Sequence, residues 1–410
     1  MDGGITINKF SWIELPVVSL NVSNIVLFVG DAVRYDSIDQ RLSEMGPTYK
    51  TVAASLHTPA SFGTMLSGFE VPRHGVCGFN NVIPEDVETL VDLQGGNSYF
   101  SNKTGVLHED LHRIFGTESK CALADAEPPF IWIVRDPGGH APYGGYDGET
   151  YEYKQSEEAA QQYLHKVAGN TNRLRADYET GIDDSLSRFQ EVRDTIRNRG
   201  LEKETLLIYT SDHGELLGEH GLVGHNHIAC PELVYVPTTF VHPSLTSGER
   251  EGLIRHSDLA PTVVDAWNRS RGFQADGTSF EPGRNVEERH GYNHFESVFY
   301  SSRLNFHRSV YSCWSTDGGY AQTDTSWFNA TMIYAGVLLQ SAKGRQIIHD
   351  REFAESLKLF LPGWETHGSP SFSKNEAKEI IDDNLDERIE SERIRIDEET
   401  EQRLKNLGYR

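Results

Sequence analysis

The segment YTSDHGELLGEHG sets a carboxylate beside an imidazole, Asp212 and His213, directly after a short apolar run. Both groups can reach one divalent cation. Carboxylate oxygen and imidazole nitrogen serve zinc, manganese or calcium, and Gly214 lets the backbone turn sharply behind them. Taken alone, such a pair is usually a capping Asp next to a surface His. Asp31, in VGDAVRYD, is a second carboxylate just past an apolar run, and by itself it reads as a helix cap. Arg34 and Asp36 follow within a turn and can pair with each other. Thr58, in TPASFGTMLSG, puts a hydroxyl at a helix start. There it either caps the helix or, near the positive helix end, favours an anion and is ionised beside a metal.

These residues need elements to bring them together. Asn24–Gly30 (NIVLFVG), Phe130–Val134 (FIWIV) and Thr205–Thr210 (TLLIYT) are short, apolar and rich in β-branched residues, which predicts buried parallel strands. Each ends in a polar cluster containing an Asp. Ligands of open α/β sheets sit beyond the carboxyl ends of the strands, so Asp31, Asp136 and Asp212 are expected on one rim. Tyr178, Ile182, Leu186, Phe189, Val192 and Ile196 recur at helical spacing, and Gly200 stops that helix. A second helix is expected over Ser257–Trp267. Past Arg271 the pattern changes. Alternation over Val298–Tyr320 predicts a small antiparallel sheet, and the acid-rich stretch from about Lys374 predicts a solvated helix or a tail.

A chain of 410 residues, 37% hydrophobic and 24% charged, suits one large α/β domain with a smaller appendage. The net charge of −23 repels nucleic acid and anionic membrane, so neither is expected as a partner. A small anionic substrate would need a metal or basic residues at the site itself. The four cysteines are far apart without a CxxC, which predicts free thiols rather than a zinc-thiolate site. MDGGITINKF lacks the basic and apolar regions of a signal peptide, and no apolar run reaches about 18 residues. The expected location is the cytoplasm.

With these blocks in order, the chain resembles the alkaline phosphatase/sulfatase superfamily, and sulfatase-family proteins most closely. The resemblance rests on the first strand with Asp31, the stretch Thr58–Gly75, SDHGELLGEHG, HSDLAPTVVD and the closing RLKNLGY. It implies an α/β fold with an alkaline phosphatase-like mixed sheet sandwiched by helices. The catalytic domain would span residues 20–270. Residues 271–410 would form a C-terminal α+β subdomain with a small antiparallel sheet and an acidic terminal helix.

Carried over residue by residue, Asp31, Asp212 and His213 become metal ligands, and Thr58 falls at the nucleophile position. Sulfatases use a Cys or Ser there, in C/S-x-P-x-R, converted to formylglycine. Here Pro59 comes one place early, Phe62 stands where the Arg would be, and Ala32 replaces a second calcium-binding Asp. A threonine nucleophile instead resembles nucleotide pyrophosphatases/phosphodiesterases.

The segment RDPGGHAPYGG admits two pictures. In one, it varies a DPHxPY block, His140 touches the substrate anion and one metal is present. In the other, Asp136 and His140 bind a second ion completed by His225 or His227. The resemblance thus implies a metal site built from Asp31, Thr58, Asp136, His140, Asp212, His213 and His225, holding one or two divalent ions. Thr58, His140 and His225 are the catalytic candidates, and Arg34 and His227 are the candidates for substrate binding. The expected function is metal-dependent cleavage of a phosphate mono- or diester or a sulfate ester through Thr58. The alternatives are a one-metal sulfatase, a transferase, and a non-catalytic binding protein on a decayed hydrolase fold.

Overall fold

The computed structural model describes residues 20–389, apart from 39, 94–95, 102–107, 118–119, 144–156, 226, 268–271, 301–304 and 352. RLKNLGY and the N-terminal segment lie outside the described residues.

Six strands come first: β1 (Asn24–Gly30), β2 (Pro47–Val52), β3 (Asn97–Ser101), β4 (Lys120–Cys121), β5 (Phe130–Asp136) and β6 (Thr205–Ser211). A short ladder of β7 (Leu216–Leu217) and β8 (Val223–Gly224) follows, then β9 (Tyr235–Val241) and β10 (Gly248–Arg255). The main sheet runs β10-β2-β9-β6-β1-β5-β3-β4. Strand β1 is parallel to both β5 and β6, while β9 runs antiparallel to β2 and β6, so the sheet is mixed.

The three central strands are buried along their whole length. Side chains on a strand alternate between faces, and here the parity separates two cores. Ile25, Leu27, Val29, Ile131, Ile133, Leu206 and Ile208 share one core with Phe62 and Met65. Those two residues belong to the helix Thr58–Ser67. Val26, Phe28, Trp132, Val134, Leu207 and Tyr209 share the other with Tyr178, Ile182, Leu186 and Phe189, from the helix Thr171–Asn198. Asn170 caps that helix by accepting from the Arg173 N–H, and Gly200 turns the chain out of it at φ 71°. Burial of each such side chain is worth about 1.5–3 kcal/mol, so the sheet is held from both faces.

A second sheet is antiparallel, in the order β11 (Gly291–Tyr300), β12 (Asn305–Ser315), β13 (Gly318–Asp324) and β14 (Gly363–Gly368). It docks on the loop after β2: the His294 N–H donates to the Ala54 carbonyl and the Asn293 amide to that of Ala53. A third core joins Leu56, Leu216 and Leu233 to Phe295, Val310 and Trp314. The acid-rich stretch forms the helix Lys374–Asp386, capped by Ser373 and Glu376. Among the described residues no helix is long and apolar enough to cross a membrane.

Glu70 is buried where the loop after the helix Thr58–Ser67 meets Ser257, whose hydroxyl donates to it at 2.8 Å. Burial pushes its carboxyl up to about 7, against the pull of Arg255. A raised carboxyl leaves the folded state holding a proton that the unfolded chain releases, so stability falls as pH rises from about 4.5 to about 7. The loss amounts to about 3 kcal/mol. Glu70→Gln should remove that slope in urea titrations across the window. An unchanged slope would place the proton elsewhere.

Candidate active site

The face that carries Phe62 and Met65 also carries the chemistry. Asp31 continues the parity of Val29, Arg135 that of Ile133, and Asp212 that of Ile208. All three side chains therefore emerge on the side of the helix Thr58–Ser67. The Arg135 guanidinium donates to Asp31 Oδ2 and lies 3.5 Å from Thr58 Oγ1. Asp31, Thr58, Asp212 and His213 are all fully buried.

The backbone around Asp31 is clamped from two sides. Its N–H donates to the Asp136 carbonyl, and its own carbonyl accepts from the Gly139 N–H at 2.7 Å. Gly138 has φ 54°, and a Cβ there would lie 2.3 Å from the Asp31 carbonyl oxygen, so only glycine fits. Ala32 holds a left-handed φ of 58°, strained for a residue with a Cβ. Its N–H is thereby delivered to Asp212 Oδ1 at 3.0 Å. Behind His213, Gly214 packs so closely that a Cβ would meet the Glu232 carbonyl oxygen at 1.9 Å.

Asp31 Oδ1, Asp212 Oδ2 and His213 Nε2 lie within 4.8 Å of one another. The two carboxylate oxygens are buried and have no hydrogen-bond partner, a costly arrangement without a cation. His213 Nδ1 lies 2.9 Å from the Gly214 carbonyl. A carbonyl only accepts, so Nδ1 carries the proton and Nε2 presents its lone pair to the carboxylates, the usual orientation of a metal-binding histidine. These donors fit a divalent cation. Burial drives the Asp31 carboxyl well above its usual range, opposed by Arg135 and reinforced by Asp212 and Glu215. Burial also acts on Asp212, but His213, Arg135 and the hydrogen bond from the Ala32 N–H outweigh it and hold that carboxyl low.

A second group borders this cluster. The His225 ring lies 4.3 Å from the His213 ring and 5.1 Å from the His140 ring. His225 Nδ1 is 2.8 Å from Glu215 Oε2, and Glu215 Oε1 accepts from the Tyr143 hydroxyl at 2.5 Å. His140 Nδ1 faces the Ala141 carbonyl at 2.7 Å. In both rings Nδ1 is thus the donor.

The other expected residues go elsewhere. Asp136 has the opposite parity to Arg135. Its carboxylate accepts from Arg188 of the long helix, at 2.9 Å for one of two contacts, and from the Gly138 N–H. It is not brought to the Asp31–Asp212–His213 cluster. Arg34 is tied to Asp36 and, at 2.8 Å, to Glu219. His227 is buried with its ring 6.1 Å from that of Phe360, and its carbonyl accepts from Arg308. Two residues of the site, Arg135 and Glu215, were not singled out from sequence. Strand parity would have found the first. Glu215 lies three residues beyond Asp212, past a turn that offers no periodic signal.

The fold has known counterparts. Residues 97–268 match the family model described as Sulfatase. The low-salt glycan biosynthesis sulfotransferase Agl7 of Haloferax volcanii is 31% identical over 94% of this chain and 96% of that protein. A sulfatase structure from Bacteroides thetaiotaomicron superposes with a TM-score of 0.54 at 15% identity, covering 73% of this chain and 82% of that one. The phosphonate monoester hydrolase of Agrobacterium radiobacter gives 0.55 at 13% identity, covering 82% and 96%. The chain belongs to the sulfatase family of the alkaline phosphatase/sulfatase superfamily, and it is an enzyme of the ester-hydrolase type.

Proposed function

We propose that this chain moves a sulfuryl group from a small sulfate ester through Thr58, with one divalent cation held by Asp31, Asp212 and His213. The observation that carries this reading is the convergence of two partnerless, buried carboxylate oxygens with His213 Nε2, next to an Arg135 guanidinium that reaches both Asp31 and Thr58. One ion is favoured over two because Asp136 is turned onto Arg188. When bound, such a cation would lower the pKa of the hydroxyl and draw charge from the ester oxygens.

The chain's own residues supply the rest. Thr58 Oγ1 attacks sulfur in line while its proton passes to Asp212. The bond between sulfur and the leaving oxygen breaks, and His225 protonates that oxygen. His225, now neutral, takes a proton from the incoming acceptor as it attacks the threonine sulfate. The proton on Asp212 then returns to Thr58, and the cycle closes. Glu215 holds the His225 tautomer throughout, and Arg135 adds positive charge where the anion sits. This local charge offsets the acidic surface.

If His225 is the proton donor, its loss should matter most when the leaving alcohol is a poor one. His225→Ala should lower kcat by roughly 10²-fold or more on an alkyl sulfate and far less on an aryl sulfate with an acidic phenol. Equal losses on both would remove His225 from that role.

The acceptor admits a second reading. The 31% identical relative is named a sulfotransferase of glycan biosynthesis, which favours a sugar hydroxyl in place of water. The test offers the metal-loaded enzyme an aryl sulfate, a phosphate monoester, a phosphodiester and a phosphonate, each with and without sugar acceptors. Preference for the sulfate supports the proposal. Preference for a phosphorus ester overturns it and restores the phosphoesterase expectation. Sulfated sugar among the products selects transfer over hydrolysis.

A further inference from the structure

Behind the turn that carries His213, a thiol, a carboxylate and an imidazole meet with no reaction to serve. Cys230 Sγ, Glu232 and His220 each offer a ligand atom, and these lie within 4.8 Å of one another. Cys230 is fully buried. Glu232 Oε2 is buried with no partner. His220 is held at φ 57°, ψ 20°, a left-handed conformation that costs a non-glycine residue on the order of 1 kcal/mol or more.

We propose that His220, Cys230 and Glu232 form a zinc site separate from the catalytic cation. An imidazole, a thiolate and a carboxylate suit zinc, whose tetrahedral sites hold such ligands at about 2.0–2.3 Å, with water able to take the fourth position. Calcium and magnesium take oxygen donors and are not matched by a thiolate. On binding, the Cys230 thiol gives its proton to solvent and the sulfur bonds to Zn²⁺, with no change of oxidation state. The partnerless Glu232 oxygen then gains its counter-charge.

The other cysteine-containing cluster among the described residues, Cys77, His294 and Glu296, is satisfied internally. Both His294 nitrogens are engaged, by the Tyr292 hydroxyl and Glu296, and Glu296 is paired with Arg388.

The location gives the zinc a purpose. His220 lies between β7 and β8, and Cys230 and Glu232 lie between β8 and β9. The Glu232 carbonyl packs against Gly214, next to His213, and the Gly214 N–H donates to the Leu233 carbonyl at 2.9 Å. A zinc ion would therefore brace the turn behind His213.

The test uses the full chain carrying Asp31→Asn and Asp212→Asn, which removes the carboxylates of the catalytic cluster. Cobalt(II) replaces zinc as a visible probe. The expected result is one equivalent of tightly held cobalt with a sulfur-to-cobalt charge-transfer band, displaced by one equivalent of zinc. The band should vanish in Cys230→Ser and persist in Cys77→Ser. Absence of the band in the chain that keeps all its cysteines overturns the proposal without any demand on how the Cys230 variant folds. A band that survives Cys230→Ser overturns it equally.

Discussion

Thr58→Ala should yield a folded protein that holds metal and has lost at least roughly 10⁴-fold in turnover, the scale on which removal of a nucleophile is felt. The structural cost is small. Thr58 is the first residue of the helix Thr58–Ser67, where alanine is well tolerated. The hydroxyl contributes a 3.5 Å contact with Arg135, worth about 1 kcal/mol or less. Metal content, melting temperature and turnover of the variant separate the two roles. Near-normal turnover with normal metal content would mean that the ester is attacked directly by water and that Thr58 only caps its helix. Thr58→Ser should retain much of the rate, since the hydroxyl survives.

The second expected result concerns the two carboxylates, which should respond in opposite ways. Asp212→Asn and Asp31→Asn each remove a proposed ligand, so both should lose metal by more than the roughly 10- to 100-fold that an outer-shell partner costs. Their stabilities in chelator should diverge. Asp212 Oδ1 accepts from the Ala32 and His213 N–H groups, each at 3.0 Å, and an asparagine oxygen can keep both. Its amide then replaces the oxygen that faces Asp31, removing one of two like charges. Metal-free Asp212→Asn should therefore melt at or above the parent's temperature. Asp31→Asn takes the carboxylate away from the buried Arg135 guanidinium, a change that costs about 3 kcal/mol. Calorimetry in chelator reads both. If Asp212→Asn melts well below the parent, the carboxylates are not in mutual repulsion and the cation argument fails.

The parts of the fold written in short-range pattern were legible from sequence. The runs NIVLFVG, FIWIV and TLLIYT became β1, β5 and β6, and the helical spacing from Tyr178 to Ile196 fell inside Thr171–Asn198. The alternation near Val298–Tyr320 became the antiparallel β11–β13. Asp31, Asp212 and His213, singled out from the sequence at the ends of buried strands, come together in one buried group.

The far side of the site was not. Asp136 was expected on the same rim because it ends a strand, but a strand end has two faces, and a residue's parity decides which one it serves. Ile131 and Ile133 point to the side of Thr58, so the next in line is Arg135. Glu215, Tyr143 and His225 come together through turns and a tertiary fold that no local pattern records.

The neighbourhood of Arg135 and Asp136 also restricts what this chain could become. A carboxylate at position 136 already exists, yet it serves the wrong side of the sheet, and no exchange of that side chain can move it across. A descendant or a designed variant seeking a bimetallic centre would have to replace Arg135 instead. That step removes the guanidinium paired with Asp31 before any second ion can take over its charge. The intermediate would be less stable than either end point, so the two chemistries are separated by a fitness valley one residue wide.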